Sequence, residues 1–479
     1  MTIRTGRLRA QTAAPRGSGR GERAGRVPVG FPSVEDVRLA RDDEEFERAV
    51  TAYRFWYPTV SMEGVFNGRR QAGVRDNREV MLMVCGPRHV LFTAGSDAPF
   101  AGTLIDLTDG PVVVELPPGP FIGLAMDRHQ RWLMDMGLCG PDAGDGGRHV
   151  LLPPDFADQR PDATQVARST SFQVSLALRA LPRAGDVGRA MDALRAVRIY
   201  PLASAADPAL FEFVDVSDKP LDATPLRWED GLGFWEKLHG VIEREAVVDE
   251  FRPMYGLLSA LGIEKDRPFT PNIRLKAMLA WAAKTGRDQM IAAAFDSPRA
   301  DRLVWKDRRW EWAALASEGS DFETPHGLDL EARDRWFVQA FAMSPTMLLR
   351  GPGAGSIYWL GHRDRYGEYL NGSAGYRLAV PLPVPAGLFW SVTVYDAATR
   401  SQIRTEQDRA ALRSLFELAD LPESGEAELR FGPEPPGDDA RYWIRTIPGR
   451  GWFAYLRIYG PQAPAFDGRW KPGDFEPLR

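Results

Sequence analysis

Apolar positions recur at helical spacing from Ser33, a candidate N-cap, through Val37, Phe46, Val50, Tyr53 and Phe55 to Pro58, predicting an opening helix. From Met62 to about Pro153 the texture changes. Short apolar runs at 80–84, 90–92, 103–107, 112–116, 121–125 and 150–152 alternate with turn formers such as Cys85-Gly86-Pro87, Asp109-Gly110 and Pro117-Pro118-Gly119. Strands at this spacing predict an antiparallel sandwich or barrel. The middle of the chain reads as helical. Asp186 caps a short helix to about Val197, and 229–262 and 272–295 are helix pairs closed by Gly262 and by Gly286 or Ser297-Pro298, with Pro253 breaking or kinking the first. A further amphipathic helix is expected from Asp329 to about Met343.

Strand texture returns at 356–360, 376–381, 388–395, 427–431, 442–446 and 453–459, interrupted by one helix expected over 405–418 behind the capping-box-like Thr405-x-x-Asp408. The uncharged stretch 380–395 carries Pro381, Pro383 and Pro385, so it reads as two buried strands joined by a proline turn rather than a membrane helix. The order β-rich, helical, β-rich makes the chain α+β and mainly β. It divides into an arginine-rich, disordered tail (1–32), a helix plus β-domain (33–203), a mainly helical connection (204–345) and a second β-domain (346–479).

Composition narrows the classes. Apolar residues make up 44% and charged residues 26% of 479, which excludes collagen-like and acidic disordered chains. Two cysteines, Cys85 and Cys139, cannot support the fold as disulfides and fit a reducing cytoplasm. No apolar core follows the arginines of the first 26 residues, so no secretory signal is read there, and no apolar run is long enough to span a membrane. Those residues carry seven arginines against Glu22 alone. The net charge of the whole chain is nevertheless −5, which makes nucleic-acid binding the weakest partner reading.

Most catalytic signatures are missing. The six histidines show no zinc-site spacing, and there is no phosphate loop, dinucleotide fingerprint or nucleophile elbow. Asp142-x-x-Asp145-Gly-Gly suits either a turn or a calcium loop, and the turn is preferred. Trp305, Trp310 and Trp312 read as a core cluster.

Polar groups concentrate among the C-terminal apolar strands. Asp396 and Arg400 flank a tight turn and can pair there, or Arg400 and Arg404 can hold an anion. Alternation puts Arg445 on the face of Trp443, and Arg457 on the face of Tyr455 and Tyr459, arrangements able to line a pocket for an anionic or planar molecule.

The chain resembles bacterial proteins that pair two domains of unknown function, families 1254 and 1214. The first is carried by Ala52-Tyr53-x-Phe55-x-Tyr57-Pro58, Asp106-Leu107-x-x-Gly110-Pro111-Val112-Val113, and Arg168-Ser169 leading to Ile199-Tyr200-Pro201-Leu202. The second is carried by Gly355-Ser356-x-Tyr358, Phe389-Trp390-Ser391-Val392-Thr393-x-Tyr395-Asp396, Gly451-Trp452-Phe453, Arg457-x-Tyr459-Gly460-Pro461 and Trp470-Lys471-Pro472-Gly473-Asp474. The resemblance implies two jelly-roll-like β-sandwich domains with an intervening helical segment, often assembled as a homo-oligomer. It implies no settled reaction. Relatives tend to carry Asn-x-Asp-Thr where this chain reads Gly95-Ser96-Asp97-Ala98, so only Asp97 matches, and many carry a secretion signal.

The expectation is therefore a cytoplasmic enzyme with a small anionic or polar substrate, working by hydrolysis or a related acid–base step. Asp97, Asp364 and Asp396 are the candidate acid–base groups or holders of a divalent cation, Ca²⁺ or Mg²⁺, although no metal-ligand set is read. Arg400, Arg445 and Arg457, with Trp443, Tyr395 and Tyr459, are the candidate substrate-binding residues. The rival is a non-catalytic jelly-roll binding or assembly protein.

Overall fold

The helix expected after Ser33 runs well beyond Pro58. In a computed structural model, which describes residues 30–157, 161–315, 322–353, 355–437 and 440–478, it spans Val34–Gln71. The tail expected over 1–32 lies, but for its last three residues, outside the described residues. The chain forms two compact units, Met1–Glu44 and Glu45–Arg479. In the first, Ser33 and Asp36 cap the helix reciprocally: Asp36 N donates to Ser33 Oγ at 3.1 Å and Ser33 N donates to Asp36 Oδ2 at 3.2 Å.

In the second unit the same helix is buried almost all round from Ala49 to Arg69, as an apolar-surfaced helix inside a protein must be. Pro58 removes the donor that would reach the carbonyl of Arg54, and Arg333 Nη1 takes that place at 3.4 Å. Gly64 and Gly68 let the helix lie directly on the backbone of 222–225. A Cβ there would sit 2.6 Å from Thr224 C and 2.5 Å from Asp222 O.

Two sandwich-like pairs of sheets follow. The first pairs a six-stranded sheet with a four-stranded one. Their orders are Glu212–Asp215, Glu79–Met83, Phe100–Asp106, Gln173–Ala180, Phe121–Asp127, Trp132–Gly137, and Arg198–Pro201, Val112–Leu116, Gly147–Leu152, Gln165–Arg168. Val80, Ile105 and Leu176 of one meet Val112, Leu151 and Ile199 of the other in one core.

The second pairs a five-stranded sheet with another of four strands. Their orders are Glu311–Trp312, Ser356–Gly361, Trp452–Pro461, Ala386–Asp396, Ala411–Arg413, and Trp443–Arg445, Gly425–Gly432, Tyr376–Leu382, Glu476–Pro477. Trp359, Val392 and Leu456 pack there against Leu378, Leu429 and Phe431. Trp305 and Trp310 join this core. Central pairs are antiparallel, whereas Glu212–Asp215, Gln165–Arg168 and Trp443–Arg445 join their sheets in parallel at the edges.

The helices Leu232–Arg244, Arg252–Ala260, Ile273–Phe295 and Leu330–Phe337 pack with the long helix into a third core, which reaches Tyr395, Phe453 and Tyr455 on the outer face of the five-stranded sheet. Pro253 lies in the first turn of its helix rather than kinking a longer one. The fold is thus α+β with two β-sandwich-like domains.

Two further expectations change. Residues 405–418 form no helix. Asp408 N turns back to Thr405 O at 3.1 Å, and Ala411–Arg413 adds an edge strand to Ser391–Thr393, so sheet pairing overrides the capping signal. The helix Leu330–Phe337 stops short of Met343 because Gln130 Oε1 captures Ala342 N at 2.9 Å and Ala342 O accepts from Trp336 Nε1 at 3.0 Å.

A buried ion pair ties these parts together. Arg400 Nη2 donates to both oxygens of Glu229 at 2.8 Å, and Tyr57 OH of the long helix donates to the same carboxylate at 2.8 Å. Burial works against the Arg400 cation, but the charge of Glu229 and the oxygens of Tyr57 and Tyr53 more than offset it, so its pKa is raised. Glu229→Ala strands that guanidinium, and urea unfolding should register a loss of about 3–5 kcal/mol. The double replacement Glu229→Leu/Arg400→Met should lose clearly less than the two single changes combined, because no unpaired charge remains.

Candidate functional site

The facing outer surfaces of the two larger sheets enclose a cavity of about 150 Å³. The six-stranded sheet contributes Phe100, Ile122, Leu124, Asp135, Ala177 and Arg179, and the five-stranded sheet Ser356, Tyr358, Tyr455, Arg457 and Tyr459. Phe92–Ala94 form one rim. The irregular segment after Phe337, with Phe341, Ser344, Thr346 and Met347, forms another.

Strand alternation explains who points here. Leu456 and Ile458 enter the sandwich core, so Tyr455, Arg457 and Tyr459 must face outward from it. Arg457 lies opposite Tyr358 on one neighbouring strand and Ser391 on the other.

Arg457 is 3% exposed. Its Nη2 donates to Thr93 O at 2.6 Å, its Nη1 has no hydrogen-bond partner, and it forms no ion pair with any described carboxylate. Three tyrosine rings surround the guanidinium instead, with centroids at 5.4 Å (Tyr358), 5.5 Å (Tyr395) and 5.0 Å (Tyr455). Burial pushes the Tyr395 hydroxyl up to about 12 and raises those of Tyr455 and Tyr459 as well, so all three remain neutral donors.

Tyr395 OH donates to Ala94 O at 2.9 Å, and Tyr459 OH donates to Asp97 Oδ2 at 3.3 Å. Asp97 Oδ1, also buried, has no partner. Arg179 approaches from the opposite sheet, its buried Nη1 likewise unpartnered. Other buried arginines differ. Arg128 is paired with Glu63 and Arg335 with Glu311, while Arg69, which has no carboxylate, rests on Ser175 rather than on this cavity.

Asp135 is the cavity's carboxyl group. Burial pushes it up to about 6, and the hydroxyls of Ser344 and Thr346, which favour the charged form, offset only part of that rise. Thr346 Oγ1 lies 3.5 Å from its Oδ2.

Of the residues singled out in the sequence, the structure brings Asp97, Tyr395, Arg457 and Tyr459 together here. The others lie elsewhere. Arg400 is held by Glu229, not by Asp396. Asp396 pairs with Arg450 through both oxygens and accepts the turn amides of Ala398 and Thr399; burial disfavours its charge, yet these partners hold its carboxyl below the ordinary value. Asp364 closes another turn, accepting from Tyr366 N at 2.8 Å and Glu368 N at 3.0 Å. Arg445 reaches Glu406 at 3.5 Å over the Trp443 ring, and Trp443 Nε1 donates to Gly432 O at 3.1 Å, away from the cavity. Asp142 accepts from Gly137 N at 2.9 Å, the turn reading of that segment. Among the described residues no group of three or more His, Cys, Asp or Glu side chains is arranged to hold a metal ion. No helix among them is long and apolar enough to cross a membrane.

Asp135, Arg179, Tyr358 and Thr93 were not singled out as site residues. A signal existed for Asp135, an acid at the outward position between Met134 and Met136, which enter the core.

Residues 85–201 match the family described as protein of unknown function (DUF1254), and residues 355–463 the one described as protein of unknown function (DUF1214). No curated protein matches the chain. The crystal structure of the VPA0106 protein from Vibrio parahaemolyticus is similar in fold, with a TM-score of 0.54 at 17% identity over 91% of this chain and 100% of that one. An uncharacterised protein from Burkholderia cenocepacia matches with a TM-score of 0.41 at 13% identity, over 92% of this chain and 96% of that one.

The raised Asp135 carboxyl has a stability signature. Unfolded, it titrates near 3.9; folded, near 6, so the native state holds the extra proton between these values and stability falls as pH rises through that window. Asp135→Asn should therefore be more stable than the parent at about pH 7.5, by up to about 3 kcal/mol, with little gain at about pH 4. Urea midpoints at the two pH values check this, and an equal gain at both would contradict it.

Proposed function

We infer that, with residues 85–201 matching DUF1254 and residues 355–463 matching DUF1214, neither described by a reaction, the chemistry is to be read from the cavity between them. We propose that the protein is an enzyme that holds a small polar or anionic metabolite there and acts on it by hydrolysis or a related acid–base step. One observation carries this reading: a buried guanidinium with an unpartnered N–H and a carboxyl group near 6 line the same small cavity. A cation out of water without a counter-ion is costly unless a ligand supplies one. A carboxyl group titrating near 6 is mostly ionised yet still basic at neutral pH, the property a general base needs.

In this assignment Arg457 binds the substrate and the charge that develops on it, and Asp135 moves the proton. Asp97 orients Tyr459 beside them. Asp364 and Asp396, occupied by turns and Arg450, have no catalytic part. A cytoplasmic setting belongs to the same proposal and fits the two free cysteines.

A second reading, assembly without chemistry as a homo-oligomer, draws on Ile273, Ala277 and Trp281, an apolar row on one face of the helix Ile273–Phe295. Ile273 is 89% and Trp281 60% exposed.

Native mass spectrometry of freshly purified protein separates the two. A mass excess of a small molecule, lost in Arg457→Met, supports the enzyme reading; a ligand-free oligomer dissociated by Trp281→Glu supports assembly. Once a substrate is found, with or without Ca²⁺ or Mg²⁺ present, turnover should rise with pH through about 6, and Asp135→Asn should lower it about 10²- to 10⁴-fold.

A further inference from the structure

We propose that the cavity's ligand is a monocarboxylic acid whose apolar body is no larger than a phenyl ring, with its carboxylate bridging Arg457 and Arg179. This rests on the preceding reading that a small molecule occupies the cavity, and adds its chemical class.

The two cations come from opposite walls. Arg457 stands on the strand Trp452–Pro461 and Arg179 on Gln173–Ala180, and each offers one buried Nη1 without a partner. Both line the cavity together with Tyr459, whose hydroxyl they draw down against the burial and the Asp97 carboxylate that raise it. Asp135 is ion-paired with neither arginine, so around the Tyr459 hydroxyl two guanidiniums meet only the carboxylate of Asp97, and one positive charge is unmet there. A monoanion with two oxygens matches both the charge and the two free donors. A phosphate monoester brings a third oxygen and more charge than one cation answers.

The rest of the lining is suited to hydrocarbon: Ile122, Leu124, Ala177, Phe341 and Met347 offer no hydrogen bonds from their side chains. A second carboxylate on the ligand would meet Asp135, a like charge. Size sets the upper limit. A cavity of about 150 Å³ is the volume that, lined by aliphatic and aromatic side chains, accommodates benzene.

Isothermal titration of the full chain with benzoate, benzamide, phenyl phosphate and terephthalate tests this, because the four share a ring and differ in charge. Benzoate should bind at one site at least tenfold tighter than each of the other three. Arg179→Gln, at a half-buried position that tolerates polarity, should weaken benzoate about tenfold to a hundredfold and leave benzamide unchanged. Ala177→Phe should block both by filling the cavity. If Arg457→Met folds, it should repeat the Arg179→Gln result.

Benzamide binding as tightly as benzoate, or phenyl phosphate binding more tightly, overturns the carboxylate assignment and leaves a small-molecule cavity standing. Terephthalate matching benzoate overturns the single-acid limit. If none of the four binds at about 10 mM and native mass spectra show no ligand, this inference and the function it rests on fall together.

Discussion

A single stretch of backbone, Phe92–Ala94, holds the two sandwiches in register. Thr93 N donates to Arg400 O at 2.8 Å, Thr93 O accepts from Arg457 Nη2 at 2.6 Å, and Thr93 Oγ1 donates to Gln339 O at 2.9 Å. Phe92 lies under the Arg400 guanidinium at 4.6 Å. Thr93 and Arg400 both adopt left-handed backbone angles, φ 40° and 54°, which a β-branched threonine rarely does. Such strain persists only where the surroundings over-determine the conformation, and here three hydrogen bonds do so. The first domain's loop is thereby anchored to the second domain's turn and central strand, and the cavity wall forms beside that anchor.

The buried arginines divide by what they face. Arg128, Arg335 and Arg400 each have a carboxylate, and their charge is spent on joining elements distant in the chain. Arg457 faces aromatic rings and one carbonyl, with the Asp97 carboxylate nearby but not ion-paired to it. Ring quadrupoles lower the cost of its charge but leave the N–H groups of Nη1 unanswered. Equal burial thus accompanies two arrangements, cohesion where an acid is supplied from within and an unanswered donor at a cavity wall in the case of Arg457. Asp135 shows the complementary case, a carboxyl group that burial raises to about 6 and no cation draws back down.

Much of the architecture was legible because period-2 alternation and turn residues are local. The strands that the pattern predicted appear close to where it put them, and Asp186 and Ser33 cap the helices they precede; Trp132–Gly137 and Gln173–Ala180, which carry Asp135 and Arg179, were not read. The face of Arg457, Tyr455 and Tyr459 followed from the same alternation. What escaped was set at long range. Glu229 neutralises Arg400 across 171 positions, and Asp135 owes its basicity to burial beneath a segment some 210 positions on. The stretch 405–418 read as a helix because a capping pattern is local, whereas the sheet edge that claims Ala411–Arg413 is not. Turns consumed Asp364 and Asp396 for a comparable reason: an acid beside glycine-rich or threonine-rich turns looks alike in sequence whether it caps amides or meets substrate.

Walls contributed by separate domains have a bearing on modularity. Asp135 and Arg179 fall within the DUF1254 match, Arg457 and Tyr459 within DUF1214, and Ser344, Thr346 and Glu229 within neither. Gly64 and Gly68 add a helix, outside both matches, that fits only against the backbone of 222–225. Neither domain alone encloses the cavity. The cavity therefore exists only in the joined pair together with its connecting helices, so a change in how the two domains pack alters its walls even where no lining residue changes.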